Sequence, residues 1–193
     1  MKRLIGFVAA KQHGKTLGSE YLSHKYGYKI VSFSDPLKRA LKEIFDFSDE
    51  QLWGSQKESI DPFWGLTPRF VMQMVGTDFF RVQMKQKVPH IGDQIWVKVA
   101  EKRIRQYLDS GQNVVVDDVR FLNESNLIHQ MGGYLIRIER PMMHLPIDSH
   151  ESEQHIKEIS VDRIIINDSS IDHYYQQLDQ VVDAHSSIGV VSI

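Results

Sequence analysis

Short apolar runs alternate along the chain with longer stretches whose apolar positions recur every three or four residues. Leu4 to Ala10 predicts a buried first strand, and Leu17 to Lys25, with Leu17, Tyr21 and Leu22 on one side, predicts a helix stopping near Tyr26-Gly27. Tyr28 to Ser32 predicts a second strand. Ser34-Asp35-Pro36 then opens a helix over Leu37 to Phe45, with Asp35 placed to cap it and Pro36 at its first position. Asp46 to Gly65 has no clear period and reads as an excursion from the sheet. Thr67-Pro68 starts another helical stretch, and a polar loop from Lys85 to Gln94 leads to a helix over Ile95 to Leu108. Beyond Gly111, the β-branched run Asn113 to Val116 predicts a third strand. Asn123 is placed to cap a helix over Glu124 to Met131, Tyr134 to Glu139 predicts a fourth strand, and Arg163 to Ile166 a fifth. Ile171 to Val182 predicts a closing helix, and the tail Ile188 to Ile193 an edge strand.

Strands that alternate with helices demand right-handed crossovers. The expected fold is therefore α/β, a three-layer arrangement of about five parallel strands with helices on both faces. At 193 residues the chain suits one domain. Two stretches lie outside the alternation: 46–95, and the polar segment 140–159, which carries His144, His150 and His155 and reads as a lid.

Composition narrows the partners. A net charge of -2, from 23 Lys and Arg against 25 Asp and Glu, gives no global pull toward long nucleic acid or an anionic membrane. The chain contains no cysteine, which removes disulfides and thiolate-bound zinc and fits a reducing cytoplasm. No apolar run is long enough to cross a bilayer, and the basic start before Leu4 reads as the edge of a first strand rather than a signal peptide.

The strongest chemical signal is Gly6 to Thr16, GFVAAKQHGKT, where a strand meets a tight loop and Gly14-Lys15-Thr16 opens a helix. Polyphosphate must be wrapped closely by backbone N–H groups, which favours glycine at the closest approach; Gly14 meets that need. Lys15 would reach the β- and γ-phosphates of ATP, and Thr16 would offer a hydroxyl to Mg²⁺. The phosphate-contacting stretch is then Ala10, Lys11, Gln12, His13, Gly14, Lys15, Thr16 and Leu17. Ala9 stands where the usual pattern has its first glycine. At the end of the third strand, Asp117-Asp118-Val119-Arg120 puts carboxylates at the sheet edge where open α/β folds bind ligands.

The block Asp118-Val119-Arg120-Phe121-Leu122-Asn123-Glu124, with Met131 to Ile138 and Arg140-Pro141 after it, resembles the phage-type deoxynucleoside monophosphate kinases. Gly76-Thr77-Asp78 with Arg81, Trp96-Val97, His150-Glu151-Ser152-Glu153 and Ile166-Asn167-Asp168 extend the likeness from Gly6 to about Leu178. The resemblance implies a P-loop fold with an inserted nucleotide-monophosphate region and a lid. It further implies transfer of the ATP γ-phosphoryl group to a deoxynucleoside 5′-monophosphate, with ATP and Mg²⁺ as cofactors. It places Asp118 and Arg120 near the reacting phosphates, Asp118 with Thr16 toward the metal, and Arg140 at the base of the lid. Arg69, Gln73, Thr77, Arg81, Trp96 and Arg120 fall on the acceptor side. If the chain is phage-encoded, the compartment is the host cytoplasm. A homodimer is neither required nor excluded.

An acceptor that is already an anionic phosphate needs no strong general base, so alignment and charge neutralisation suffice. A hydroxyl acceptor would need a base, and Asp35 near the end of the second strand is the candidate for that rival reading. A third reading is an ATP-binding switch without transfer. Among Phe63, Trp64, Phe79, Phe80 and Trp96, one aromatic is expected to stack on a base and the rest to pack. His150 and His155 are five apart and do not form a zinc-protease pair.

Overall fold

A computed structural model describes residues 3–10, 12–141 and 155–187. The chain divides into two compact units, Met1–Ser32 with Glu101–Ile193, and Phe33–Ala100.

The first unit is built on five parallel strands: β1 (Leu4–Val8), β2 (Lys29–Val31), β3 (Val114–Val119), β4 (Tyr134–Glu139) and β5 (Arg163–Ile166), in the order β2-β3-β1-β4-β5. Every residue of β1 is buried, which is why its sequence is apolar without alternation. One face of the sheet holds Ile5, Phe7, Val115, Ile136, Ile138 and Ile165 against Leu22 and against Tyr174, Leu178, Val181 and Val182. Those partners come from α1 (Lys15–Tyr26) and the last helix, Ile171–Ser187, called α8 below. Residues of β1 alternate between faces, so Gly6 looks the other way, toward the helix α7 (Leu122–Gln130). A Cβ on Gly6 would lie 2.7 Å from Leu135 and 3.3 Å from Ile128, so glycine lets this helix approach.

The second unit contains α2 (Asp35–Phe45), α3 (Asp49–Leu52), α4 (Pro68–Gln73), a π-helix over Met74–Gln83, α5 (Met84–Lys87) and the start of α6 (Ile95–Asp109). Its core is Leu37, Leu41, Phe47, Leu52, Val71 and Trp96.

Several boundaries differ from expectation for local reasons. α2 has its cap position at Ser34, and Asp35 is already its first residue, so its carboxylate is used elsewhere. α7 starts at Leu122 rather than after Asn123. Here Glu124 reaches back to the N–H groups of Arg120 and Phe121, at 2.8 and 3.2 Å, doing the work assigned to Asn123. The excursion 46–65 hides α3, closed by a reciprocal Ser48–Gln51 capping box, because four residues cannot display a helical period. Part of the expected polar loop from Lys85 is α5, and residues 92–94 form a 3₁₀ turn. The expected edge strand at 188–193 and most of the expected lid, residues 142–154, lie outside the described residues.

Candidate active site

β1 delivers the chain into the loop at Val8, and the loop ends where Gly14 starts α1. Gln12 and Gly14 both have positive φ, 65° and 105°, on either side of His13. Such reversals turn successive backbone N–H groups toward one centre, the geometry of an anion nest. Within the loop the Lys15 ammonium donates to the carbonyls of Ala9 (2.7 Å) and Ala10 (3.2 Å). The cation is thus held over the loop by backbone oxygens. Thr16 is exposed at the first turn of α1, while Leu17 packs its side chain into the core and can offer only its backbone. Lys11 lies outside the described residues.

Groups from β4, β5 and α8 brace this loop. Asn167, just past β5, donates its side-chain N–H to His13 O at 3.1 Å, and the Tyr174 hydroxyl of α8 donates to Gly14 O at 3.1 Å. A Cβ on Gly14 would stand 2.6 Å from Asn167 Nδ2, so this position is closed to side chains by contact as well as by φ. The His13 ring is tied in turn to the end of β4. Its Nδ1 is 3.3 Å from both Ile138 O and Arg140 N, so it donates to the first or accepts from the second according to tautomer. Burial pushes the Tyr174 hydroxyl well above the usual tyrosine range, keeping it a donor.

β3 runs three residues further than its β-branched stretch and includes both aspartates. Gly6 pairs with Val116 but Val8 with Val119, so β3 carries one extra residue at Asp117–Asp118 opposite Phe7. A bulge of this kind re-aims side chains at a strand end. The Asp118 carboxylate accepts a 2.5 Å hydrogen bond from Ser32 Oγ, at the end of the neighbouring β2. Arg120 follows, its backbone fixed by Glu124, which is only 2% exposed. Arg140 is exposed at the end of β4.

Arg69, Gln73, Thr77, Arg81 and Trp96 all belong to the second unit. Arg69 and Gln73 lie on α4, whose first turn is capped by Thr67 accepting from Phe70 N at 3.1 Å; Thr77 and Arg81 lie on the π-helix. The Arg69 guanidinium pairs with Glu58 at 3.0 Å. Trp96 is 8% exposed, stacks edge-on against Phe80 and donates its indole N–H to Gly76 O at 3.0 Å. Trp64 is likewise anchored, with its N–H on Phe45 O at 2.8 Å, whereas Phe63 is 83% exposed. Asp35 accepts from the Trp53 indole at 2.9 Å and lies 3.8 Å from Arg39.

Ser32, Glu124, Asn167 and Tyr174 carry no role in the sequence reading. Glu124 and Asn167 sit in motifs that carry the resemblance, whereas Ser32 and Tyr174 belong to no such motif. Among the described residues, no group of three or more His, Cys, Asp or Glu could hold a metal ion, and no helix is long and apolar enough to cross a membrane.

A parallel sheet with a Gly-Lys-Thr loop at the end of its central strand defines a P-loop kinase fold. Solved structures of the same architecture include a sugar kinase from Janibacter sp. HTCC2649, with TM-score 0.52, 11% identity and coverage of 95% of each chain. Another is dephospho-CoA kinase from Campylobacter jejuni, with TM-score 0.50 and 16% identity over 95% of this chain and 97% of that one. These likenesses establish the fold. Sequence goes further: residues 58–178 match the family model for deoxynucleotide monophosphate kinase. A protein of Acanthamoeba polyphaga mimivirus, provisionally named a deoxynucleotide monophosphate kinase, is 39% identical over 191 residues, covering 96% of this chain and 98% of its own. The chain belongs to the deoxynucleotide monophosphate kinase family, and is a phosphotransferase that uses nucleotide substrates.

Proposed function

We propose that the chain transfers the γ-phosphoryl group of ATP to a deoxynucleoside 5′-monophosphate, giving the deoxynucleoside diphosphate and ADP. The observation that carries this reading is the loop itself, with Lys15 held by the Ala9 and Ala10 carbonyls beside two left-handed residues. Ala10, Gln12, His13, Gly14 and Leu17 wrap the ATP phosphates through their backbone, and Lys15 neutralises the charge that develops on the transferred group. Nucleophile and leaving group are both phosphate oxygens, so no residue has to remove a proton.

The donor set suits Mg²⁺. That ion keeps several waters and is carried by substrate phosphates with one or two protein oxygens, so an all-protein cage is not needed. Thr16 and Asp118 are the residues that would hold it, with Ser32 fixing the carboxylate. When bound, Mg²⁺ supplies charge neutralisation on the phosphates. Arg120 and Arg140 add positive charge around the transferred group. Arg69, Gln73, Thr77 and Arg81 bind the acceptor monophosphate, and Trp96 supports them.

The test is ADP release from Mg·ATP against a panel of deoxy- and ribonucleoside monophosphates, with Lys15→Ala as control. Release stimulated by a deoxynucleoside monophosphate and lost in the control is expected. ATP binding without stimulation by any monophosphate would overturn the reading.

A further inference from the structure

The second unit contains a structural feature that the acceptor residues do not by themselves require. Arg69, Gln73, Thr77 and Arg81 are spaced by four. In an α-helix each residue turns about 100°, so each step of four overshoots a full turn by roughly 40° and a straight helix would spread the set across roughly 120°. Here the α-helix ends at Gln73 and a π-helix runs from Met74 to Gln83. With i→i+5 closure the turn widens to about 4.4 residues, roughly 82° each, and a step of four falls about 30° short. The overshoot between Arg69 and Gln73 is therefore reversed between Thr77 and Arg81. On ideal geometry the four positions stay within an arc of roughly 60°. Each of the four is half-buried, as are Met72, Met74, Val75 and Phe80 between them, while Phe70, Asp78, Phe79 and Val82 are exposed and Val71 and Gly76 are buried.

A π-helix is rare and needs support from outside its own ladder. Two contacts at Gly76 provide it. A Cβ there would stand 2.5 Å from Leu37 Cδ2, so glycine leaves room for the Leu37 side chain of α2 to pack on this turn. The Gly76 carbonyl also accepts the indole N–H of Trp96, in a buried hydrogen bond. In an i→i+5 ladder this is the carbonyl on which the N–H of Arg81 closes, and Thr77 follows it directly. Phe80, one turn on, packs on the same indole.

We infer that Trp96 is a positioning residue for the acceptor, its N–H holding Gly76 so that the π-helix keeps Thr77 and Arg81 in line with Arg69 and Gln73. The inference rests on the acceptor reading proposed above. Trp96 does not touch the reacting atoms and acts through the strip.

The experiment compares Trp96→Phe and Phe80→Leu with the unsubstituted enzyme, measuring KM for each of the four deoxynucleoside monophosphates, KM for ATP, kcat and Tm. Trp96→Phe removes the N–H while keeping a ring against Phe80; it is expected to raise acceptor KM roughly three- to tenfold, the range one hydrogen bond supports, with KM for ATP unchanged. Phe80→Leu keeps the N–H bond and is expected to lower Tm without that selective rise. Should Trp96→Phe fail to fold, the benzothienylalanine analogue at Trp96, which replaces only N–H by sulfur, takes its place with the same expectation. Unchanged acceptor KM, or equal loss in both KM values and kcat along with Tm, would overturn the inference. Absence of monophosphate-dependent ADP release in the unsubstituted enzyme would instead overturn the acceptor reading on which it rests.

Discussion

The Tyr174 hydroxyl donates to the carbonyl oxygen of Gly14 across 160 residues of sequence, so the last helix grips the phosphate loop at the point where α1 begins. Gly14 O also accepts the N–H of Gly18 at 2.9 Å, and loss of the tyrosine bond would not leave that carbonyl unmet. Tyr174→Phe is therefore expected to cost only about 1 kcal/mol of stability. Its larger consequence is a several-fold rise in KM for ATP, with acceptor KM unchanged, measured by steady-state kinetics beside thermal denaturation. Equal KM values for ATP in the two proteins would show that the loop keeps its shape without this contact.

Glu124 is a buried carboxylate whose partners include the backbone N–H groups of Arg120 and Phe121. Glu124→Ala leaves both donors without that acceptor, and about 2–3 kcal/mol of destabilisation is expected from denaturant unfolding. Glu124→Gln retains one carbonyl oxygen and should lose distinctly less. Because these bonds fix the backbone at Arg120, kcat should fall in the alanine variant even at temperatures where it is fully folded.

Asp118→Asn keeps the size and the acceptor oxygen that Ser32 needs but removes the charge. The expected result is a fall in kcat of about 10²–10³, partly recovered at raised Mg²⁺, with Tm close to that of the unsubstituted protein. Ser32→Ala, which only releases the carboxylate's orientation, should show a much smaller fall. A full-activity Asp118→Asn would remove this residue from the site.

Asp35 separates the phosphate-acceptor reading from a hydroxyl-acceptor one. Its carboxylate is occupied by the Trp53 indole N–H, a role that an amide oxygen can also fill. Asp35→Asn is expected to leave monophosphate-dependent ADP release within about twofold of normal, since an anionic acceptor needs no base. Loss of activity in a stably folded Asp35→Asn would favour alcohol activation.

The dependence of stability on pH has a definite sign on both limbs. Partial burial alone would raise the Asp179 carboxyl, but donation from Lys25, Tyr26 and Tyr21, at 2.9, 2.7 and 2.7 Å, takes it below the usual value of 3.8. A depressed pKa contributes stability above the unfolded value and loses it as pH falls through the folded one. Asp179→Asn should flatten unfolding free energy below about pH 4. On the alkaline side Tyr21, Tyr26, Tyr28 and Tyr174 are all raised above 10.0, burial being the largest cause in each. Their contribution is present below the ordinary tyrosine pKa and is lost as pH rises beyond it, so stability should decline above about pH 10 and less steeply in Tyr174→Phe.

The alternation of strands and helices, the parallel sheet and the Gly-Lys-Thr loop were all readable along the chain, because each depends on residues close together in sequence. Boundaries failed where a side chain did unexpected work. Asn123 has the right chemistry for a cap, yet Glu124 takes the role by reaching back to Arg120 and Phe121. A run spaced by four, Arg69 to Arg81, cannot distinguish α from π in the sequence, since neighbours four apart lie close together in either helix and only the drift over the whole run differs. The burial of Trp96 was open for the same reason, as an aromatic at helical spacing suits a core or a ligand equally.

By itself, the sequence determined the fold class and the Gly-Lys-Thr turn that opens α1. Hydrophobic periodicity sets which elements form, and glycine at position 14 suits a loop that turns through the left-handed region, with φ of 105°. Tertiary structure alone decided what holds that chemistry in place. Tyr174 on Gly14, Asn167 on His13, Ser32 on Asp118 and Trp96 on Gly76 join residues from 20 to 160 positions apart. Hydrogen bonds of that reach exist only once sheet register and helix packing have brought donor and acceptor within about 3 Å, a distance that no local pattern encodes.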